Sequence, residues 1–438
     1  MSFFKILCLG LFIASSSELA LAVEFGPGAA KEIRQEKEIA RSSEQINSWT
    51  NLYTGVPLDL AIPVLNAGIP NDPGTWEKKG IWPELRRAEA VWYAKNLSLA
   101  LQETGIFRSV LVVPDTAVSA DLYLLGEIKE SNGEDLEIEL RLFATTGKEL
   151  IKKWKIKARV SEQWYVDPRT KDSDPFSSTY KVAANKIVSE LIKIAKKDQK
   201  LRAKNDKYIQ KKRYKKVKPE TLEEVRIVRS ALYGNALSED EFAGVTKVKK
   251  GITSLAYIPD MEQDNWRRVD GIISADKKFN QLLDGSYNEL TDNMRDSYMI
   301  WQRDAYPIAK AQREAREAAN AALFGALVGA AVAGSLANNS NSTAGKVAAA
   351  SLAVASVGAL AKSFKEREES KQQAAQLNEL GNSVSSVMSP KVISMENREV
   401  ELTGTASEQQ AQWSTLLKEL YMEGMQDFDD LEIVATVN

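Results

Sequence analysis

The chain has 438 residues, 44% of them hydrophobic, and a formal net charge of −2. That length predicts two or three domains with cores of their own, and the balanced charge argues against a global polyanion partner. Histidine is absent and the only cysteine is Cys8, which excludes Ser-His-Asp and Cys-His catalysis and any histidine metal ligand. Carboxylate-only catalysis stays open in principle, but among 60 acidic residues no pair stands out. The expectation is a non-enzymatic protein, with no catalytic residue, metal or cofactor assigned.

Residues 1–22 read as a secretory signal peptide. Lys5 supplies the positive start, 6–13 the apolar stretch and Ala20-Leu21-Ala22 the cleavage site. The mature chain is expected to begin at Val23, without a thiol, which is compatible with a bacterial periplasm. Leu7 before Cys8 is not the small residue of a lipid-attachment motif. Residues 23–54 form a polar lead-in with a short helix.

An α/β sandwich is predicted over 55–197. Residues 58–65 (LDLAIPVL) read as a buried strand, followed by a loop dense in turn formers, NAGIPNDPGTW. Residues 83–103 read as a helix, with Pro83 at its start and Gly105 past its end. Strands follow at 110–113, 120–130, 135–143 and 150–160. Asn132-Gly133 and Thr146-Gly147 mark the turns, and Leu136, Ile138, Leu140 and Leu142 alternate onto one face. A helix over 178–196 closes the unit as an α+β arrangement, with helices over one sheet face.

The matching positions Ala61 to Val64, Ala120 to Gly126 and Thr146-Gly147 resemble a family pattern: a first strand ending in a Pro-containing turn, then a meander with a T-G turn. The pattern is similar to that of the periplasmic α/β domains of TolB amino-terminal regions, the curli secretion channel and flagellar outer-membrane accessory proteins. It covers about 55–200. The resemblance implies a binding and assembly module around outer-membrane machines, with no catalytic residues to carry over. The loop over 68–82 and everything after 200 depart from it.

Residues 193–218 hold thirteen Lys or Arg against two Asp. The segment reads either as the solvated end of a helix entering a basic connector (198–219), or as a surface for anionic lipid or polysaccharide. Lys207, Lys211, Lys212, Arg213, Lys215 and Lys216 are its candidate anion-binding residues. Secretion argues against nucleic acid as the partner.

The helical region, 220–317, is expected to hold helices at 220–236 and 261–283 around an extended segment, KKGITSLAYIP, and another helix from about 287. Pro307 should kink or interrupt that last one. Met294, Tyr298, Trp301 and Ala305 share a face, the pattern of a core seam or of a cofactor box. A small-residue apolar hairpin then spans 318–361, with arms AANAALFGALVGAAVAGSLA and VAAASLAVASVGALA joined by NNSNSTAGK. Gly325 and Gly329, four apart, and Gly334 beyond them, are its candidate helix-association residues. The hairpin is compatible with membrane insertion, with a soluble helix pair in an oligomer, or with an unstructured Ala/Gly tract. Over 362–438 a polar helix precedes one or two strands (391–403), a helix (407–423) and a strand (431–437). This part makes either its own small α/β element or the completion of the earlier sheet.

The resulting expectation is a structural or accessory subunit of a bacterial envelope assembly, such as a secretion, export or surface-organelle complex. It is expected to be periplasmic, membrane-associated and homo-oligomeric, with protein partners in the envelope. A periplasmic binder of anionic lipid or polysaccharide is the alternative.

Overall fold

The computed structural model describes residues 49–76, 79, 81–170, 173–333, 389–395, 398–425, 428 and 431–435. The expected signal peptide, most of the lead-in, Gly334 and the second arm of the small-residue hairpin lie outside the described residues.

The fold is α+β, as the alternation predicts. After a short helix α1 (Trp49–Leu52), strands β1 (Asp59–Pro63), β2 (Ser109–Val113), β3 (Leu122–Ser131), β4 (Asp135–Ala144) and β5 (Glu149–Arg159) form one sheet in the order β2-β1-β3-β4-β5. β1 pairs parallel with β2 and β3, while β3, β4 and β5 form an antiparallel meander. Period-2 alternation places Leu136, Ile138, Leu140 and Leu142 in the core. The opposite face of β4 and β5 carries a charged ladder, with Lys153 on Glu139 and Lys155 on Glu137. Gly133, at φ +85°, closes the β3–β4 hairpin, where a Cβ atom would meet the Gln302 carbonyl at 2.6 Å.

Helices α2 (Pro83–Gln102) and α4 (Ser177–Gln210), separated by the short α3 (Glu162–Val166), bury their apolar stripes on the sheet. Pro83 opens α2 with its fixed φ and missing donor, and Gly105 follows its end at φ +68°. α4 extends well beyond the predicted end at 196. Its later polar residues Asp198 and Asn205 are buried because the returning chain uses them as hydrogen-bond acceptors. α5 (Thr221–Leu237), α6 (Glu239–Phe242) and a hairpin of β6 (Thr246–Lys249) with β7 (Ile252–Leu255) come next.

The largest departure from expectation is α7 (Asp264–Ala333), a single 70-residue helix where two helices and a break were predicted. Gly285 lies inside it, flanked by buried Asp284 and Tyr287. Pro307 does not interrupt it either. Tyr306 packs against Tyr165 with ring centroids 5.2 Å apart, Ala309 is buried, and Arg313 pairs with Glu134, so contacts on both sides hold the helix through the missing donor. The C-terminal strands β8 (Lys391–Met395), β9 (Arg398–Leu402) and β10 (Glu432–Ala435) form their own sheet, ordered β10-β8-β9, and do not extend the first. Their helix α8 (Ala406–Met422) opens on a capping box between Thr405 and Glu408. It docks on α7 by stacking Trp413 on Phe279 and placing Arg268 over the Tyr421 ring. A main hydrophobic core joins the first sheet, α2, α4, α5, α7 and α8, beside a smaller cluster of Ala61, Val113, Val118 and Ala120.

Candidate functional site

Helix α7 is tied to the α/β body along most of its length by buried polar contacts. Asp284 accepts from Lys95 Nζ and from the Val112 amide, both at 2.8 Å, so it also covers an amide on the open edge of β2. The Tyr298 hydroxyl lies 2.7 Å from the Tyr93 hydroxyl and donates to Glu89 at 2.9 Å. Arg313 pairs with buried Glu134 at 2.8 Å. Of the face predicted from sequence, Met294, Tyr298 and Trp301 are buried and Ala305 packs at the edge of the core. This is a helix-to-body seam. Beyond Arg313 the helix runs on for roughly 30 Å to Ala333. Gly325 and Gly329 both lie on this continuation, four residues apart and hence on one face. Among the described residues, no helix is long and apolar enough to cross a membrane.

The basic residues gather in a second place. α4 ends at Gln210, and the chain turns back through Lys212, which sits at φ +53°, toward α5. Lys207, Lys211, Lys212, Arg213, Lys215 and Lys216 are all exposed on this turn. The turn is a defined structure. Asn205 donates to the Lys218 carbonyl at 2.8 Å and accepts from its amide at 3.2 Å. Asp198 accepts from the Thr221 and Leu222 amides, both at 2.9 Å, which caps α5 from the side of α4.

A third cluster has no counterpart in the sequence reading. At the N-terminal ends of β1, β2 and β3, the Asp59 carboxylate accepts from Arg108 Nε at 2.9 Å, Ser109 Oγ at 2.6 Å, Lys277 Nζ at 3.2 Å and Arg229 Nη1 at 2.7 Å. Its amide donates to Asp121 Oδ2 at 2.8 Å. Burial by itself raises the Asp59 carboxyl. The hydrogen bond from Arg108, the charge of Arg229 and the Ser109 hydroxyl outweigh burial and hold it well below the usual carboxylate range. Asp121, fully buried beside it, is pushed upward by burial. A cavity of about 390 Å³ opens next to the cluster between α5 and α7, with Arg226, Ser230 and Asp270 on its walls. Chemically the cluster is closed: Asp59 is ionised and saturated with donors, so it is not available as a general base. It fastens β1, β2, α5 and α7 together. A signal for it exists in the sequence, since Asp59 interrupts the apolar run LDLAIPVL and Arg229 follows Leu222 and Val225 on one helical face.

Among the described residues, no group of three or more Asp, Glu or Cys is placed to hold a metal ion. Comparison with protein-family models, curated proteins and solved structures finds no match for this chain.

Proposed function

We propose that this protein is a non-enzymatic structural or accessory subunit of a bacterial envelope assembly, of the secretion, export or surface-organelle kind. Its α/β body binds protein partners and its small-residue helix mediates association with other copies or with a membrane. The observation that carries this reading is the continuity of α7: one helix is seated on the body from Trp266 to Arg313 and remains helical through Gly325 and Gly329. Any force or position imposed on the small-residue end is thereby transmitted to the folded body. Four-residue glycine spacing supports close helix–helix approach, since no side chain separates the backbones there. The signal-like N-terminus supports an envelope location.

The test compares the full chain with a version lacking 318–361 in fractionated cells, with carbonate and high-salt washes. Loss of membrane retention in the deletion is the expected result, and retention independent of the segment overturns the anchoring half of the proposal. Gly325→Leu with Gly329→Leu tests association separately. Cross-linked oligomers should diminish, and an unchanged ladder overturns the glycine interface.

A further inference from the structure

The basic turn between α4 and α5 differs from the Asp59 cluster in how its charge is used. At Asp59 the cations are matched by buried carboxylates. From 204 to 218 there are eight Lys or Arg and a single acid, Asp206. Among the described residues, none of the six cations at the tip has a carboxylate partner; the nearby pair of Arg202 with Glu220 belongs to the base of the turn. The turn is also held in place, by the reciprocal Asn205–Lys218 bonds, the bidentate Arg202–Glu220 pair at 2.8 and 2.6 Å, and the Asp198 cap. Lys212 occupies a left-handed backbone position that glycine adopts without strain. A cation therefore stands at the apex, where backbone geometry alone favours glycine.

A second observation selects the partner. Ile209, in the last turn of α4, is 47% exposed in the middle of these lysines, beside half-buried Tyr208. An exposed apolar side chain flanked in sequence by exposed cationic ones is an arrangement that suits a bilayer interface. The isoleucine enters below the headgroups while the ammonium groups stay at the phosphates. A single-stranded nucleic acid instead takes open aromatic faces for base stacking, and Lys204 lies over the Tyr208 ring, 5.8 Å from its centroid. A soluble polyanion makes no use of Ile209. The site is also separated along the chain from the small-residue helix, and the two leave different parts of the fold. The start of α4 and the middle of α7 share a neighbourhood through Tyr180, Tyr93 and Tyr298, whereas the end of α4 caps α5, which lies beside the start of α7 at Ser230 and Asp270.

We propose that the α4–α5 turn is a peripheral docking site for an anionic phospholipid bilayer, with its lysines at the lipid phosphates and Ile209 inserted at the interface. This is independent of whether the helix through Gly325 and Gly329 associates with itself or with a membrane.

The test is co-sedimentation of the full-length chain with vesicles of phosphatidylcholine alone or mixed with phosphatidylglycerol. Binding to the anionic vesicles is expected to exceed binding to the neutral ones, and that excess is expected to fall steeply with added salt. A variant carrying Lys211→Glu, Lys212→Glu, Lys215→Glu and Lys216→Glu should bind about tenfold or more weakly, and Ile209→Ser about fivefold more weakly. All five positions are exposed, so unchanged thermal unfolding is the folding control, and the small-residue segment is present in every variant. Equal binding to neutral vesicles, or charge-reversal binding equal to that of the parent chain, overturns the proposal. So does equal capture of soluble polyphosphate combined with indifference to Ile209→Ser, which reassigns the turn to soluble polyanions.

Discussion

The hydroxyls of Tyr93 and Tyr298, 205 residues apart in sequence, meet at 2.7 Å inside the core and join α2 to α7. Both also belong to a buried polar group: Ser131 Oγ is 2.7 Å from the Tyr93 hydroxyl and donates to Glu89 Oε1 at 2.5 Å. Arg86 Nε lies 3.2 Å from Glu89 Oε2 without hydrogen-bond geometry, so that oxygen is held by charge alone. Tyr298→Phe removes one hydrogen bond to each of two fully buried partners. It should destabilise the fold by about 1–3 kcal/mol in urea unfolding, because the partners remain out of water. A change within experimental error would mean that the network reorganises around the lost hydroxyl.

Arg229 holds Asp59 from α5, with both side chains under a tenth exposed. Arg229→Ala leaves the Asp59 and Asp121 carboxylates buried with a cation fewer, and should cost about 3–5 kcal/mol. The sign of the pH dependence follows from Asp59, whose folded-state pKa is depressed. Its contribution is present above the ordinary carboxylate range, and it is lost as pH falls below that range. Arg229→Ala should therefore show a shallower acid limb than the parent chain in unfolding followed from pH 6 down to pH 2. Parallel limbs would show that the cluster does not govern acid stability.

The N-terminal sheet was legible from local pattern. Strict alternation in β4 and glycines at positions needing φ > 0 act within a few residues, so they survive whatever the rest of the chain does. What escaped was set by distant partners. Gly285 and Pro307 carry local helix-breaking chemistry, yet buried neighbours on both sides carry α7 across them. The extension of α4 depends on Asn205 meeting a backbone thirteen residues on, and the Asp59 cluster joins residues up to 218 positions apart. Of the predicted site residues, the six cations do converge on one turn because they are close in sequence. Gly325 and Gly329 share a helical face for the same reason.

Pro307 offers a direct measure of how strongly the seam holds α7. It is exposed and lies in the helix interior, where proline removes a hydrogen bond and crowds the preceding turn. Pro307→Ala should restore that bond and stabilise the chain by about 1–3 kcal/mol, seen as a higher urea midpoint. A lower midpoint would mean that the proline relieves a bend required by the contacts of Tyr306 and Arg313.

Asp276, buried between α7 and α8, titrates in the opposite sense to Asp59. Burial pushes its carboxyl up to about 6, against the lowering effects of the Gln410 hydrogen bond and the Arg229 charge. Its Oδ1 accepts from Gln410 Nε2 at 3.0 Å, so the same atom helps to seat the C-terminal helix. With a raised folded-state pKa, the proton is held more tightly in the native chain. The associated stability is complete below the unfolded carboxyl pKa of about 4, declines as pH rises, and is gone above about 6. The span from its ordinary value corresponds to a loss on the order of 3 kcal/mol. Asp276→Asn keeps an acceptor oxygen for Gln410 and never ionises. The variant should match the parent chain near pH 4 and exceed its stability by about 1–3 kcal/mol at pH 7. Denaturant unfolding of both proteins at pH 4, 5, 6 and 7 measures this directly. A stability difference that stays constant across that range would show that Asp276 remains in one protonation state throughout, and would remove it as the source of pH dependence at the α7–α8 contact.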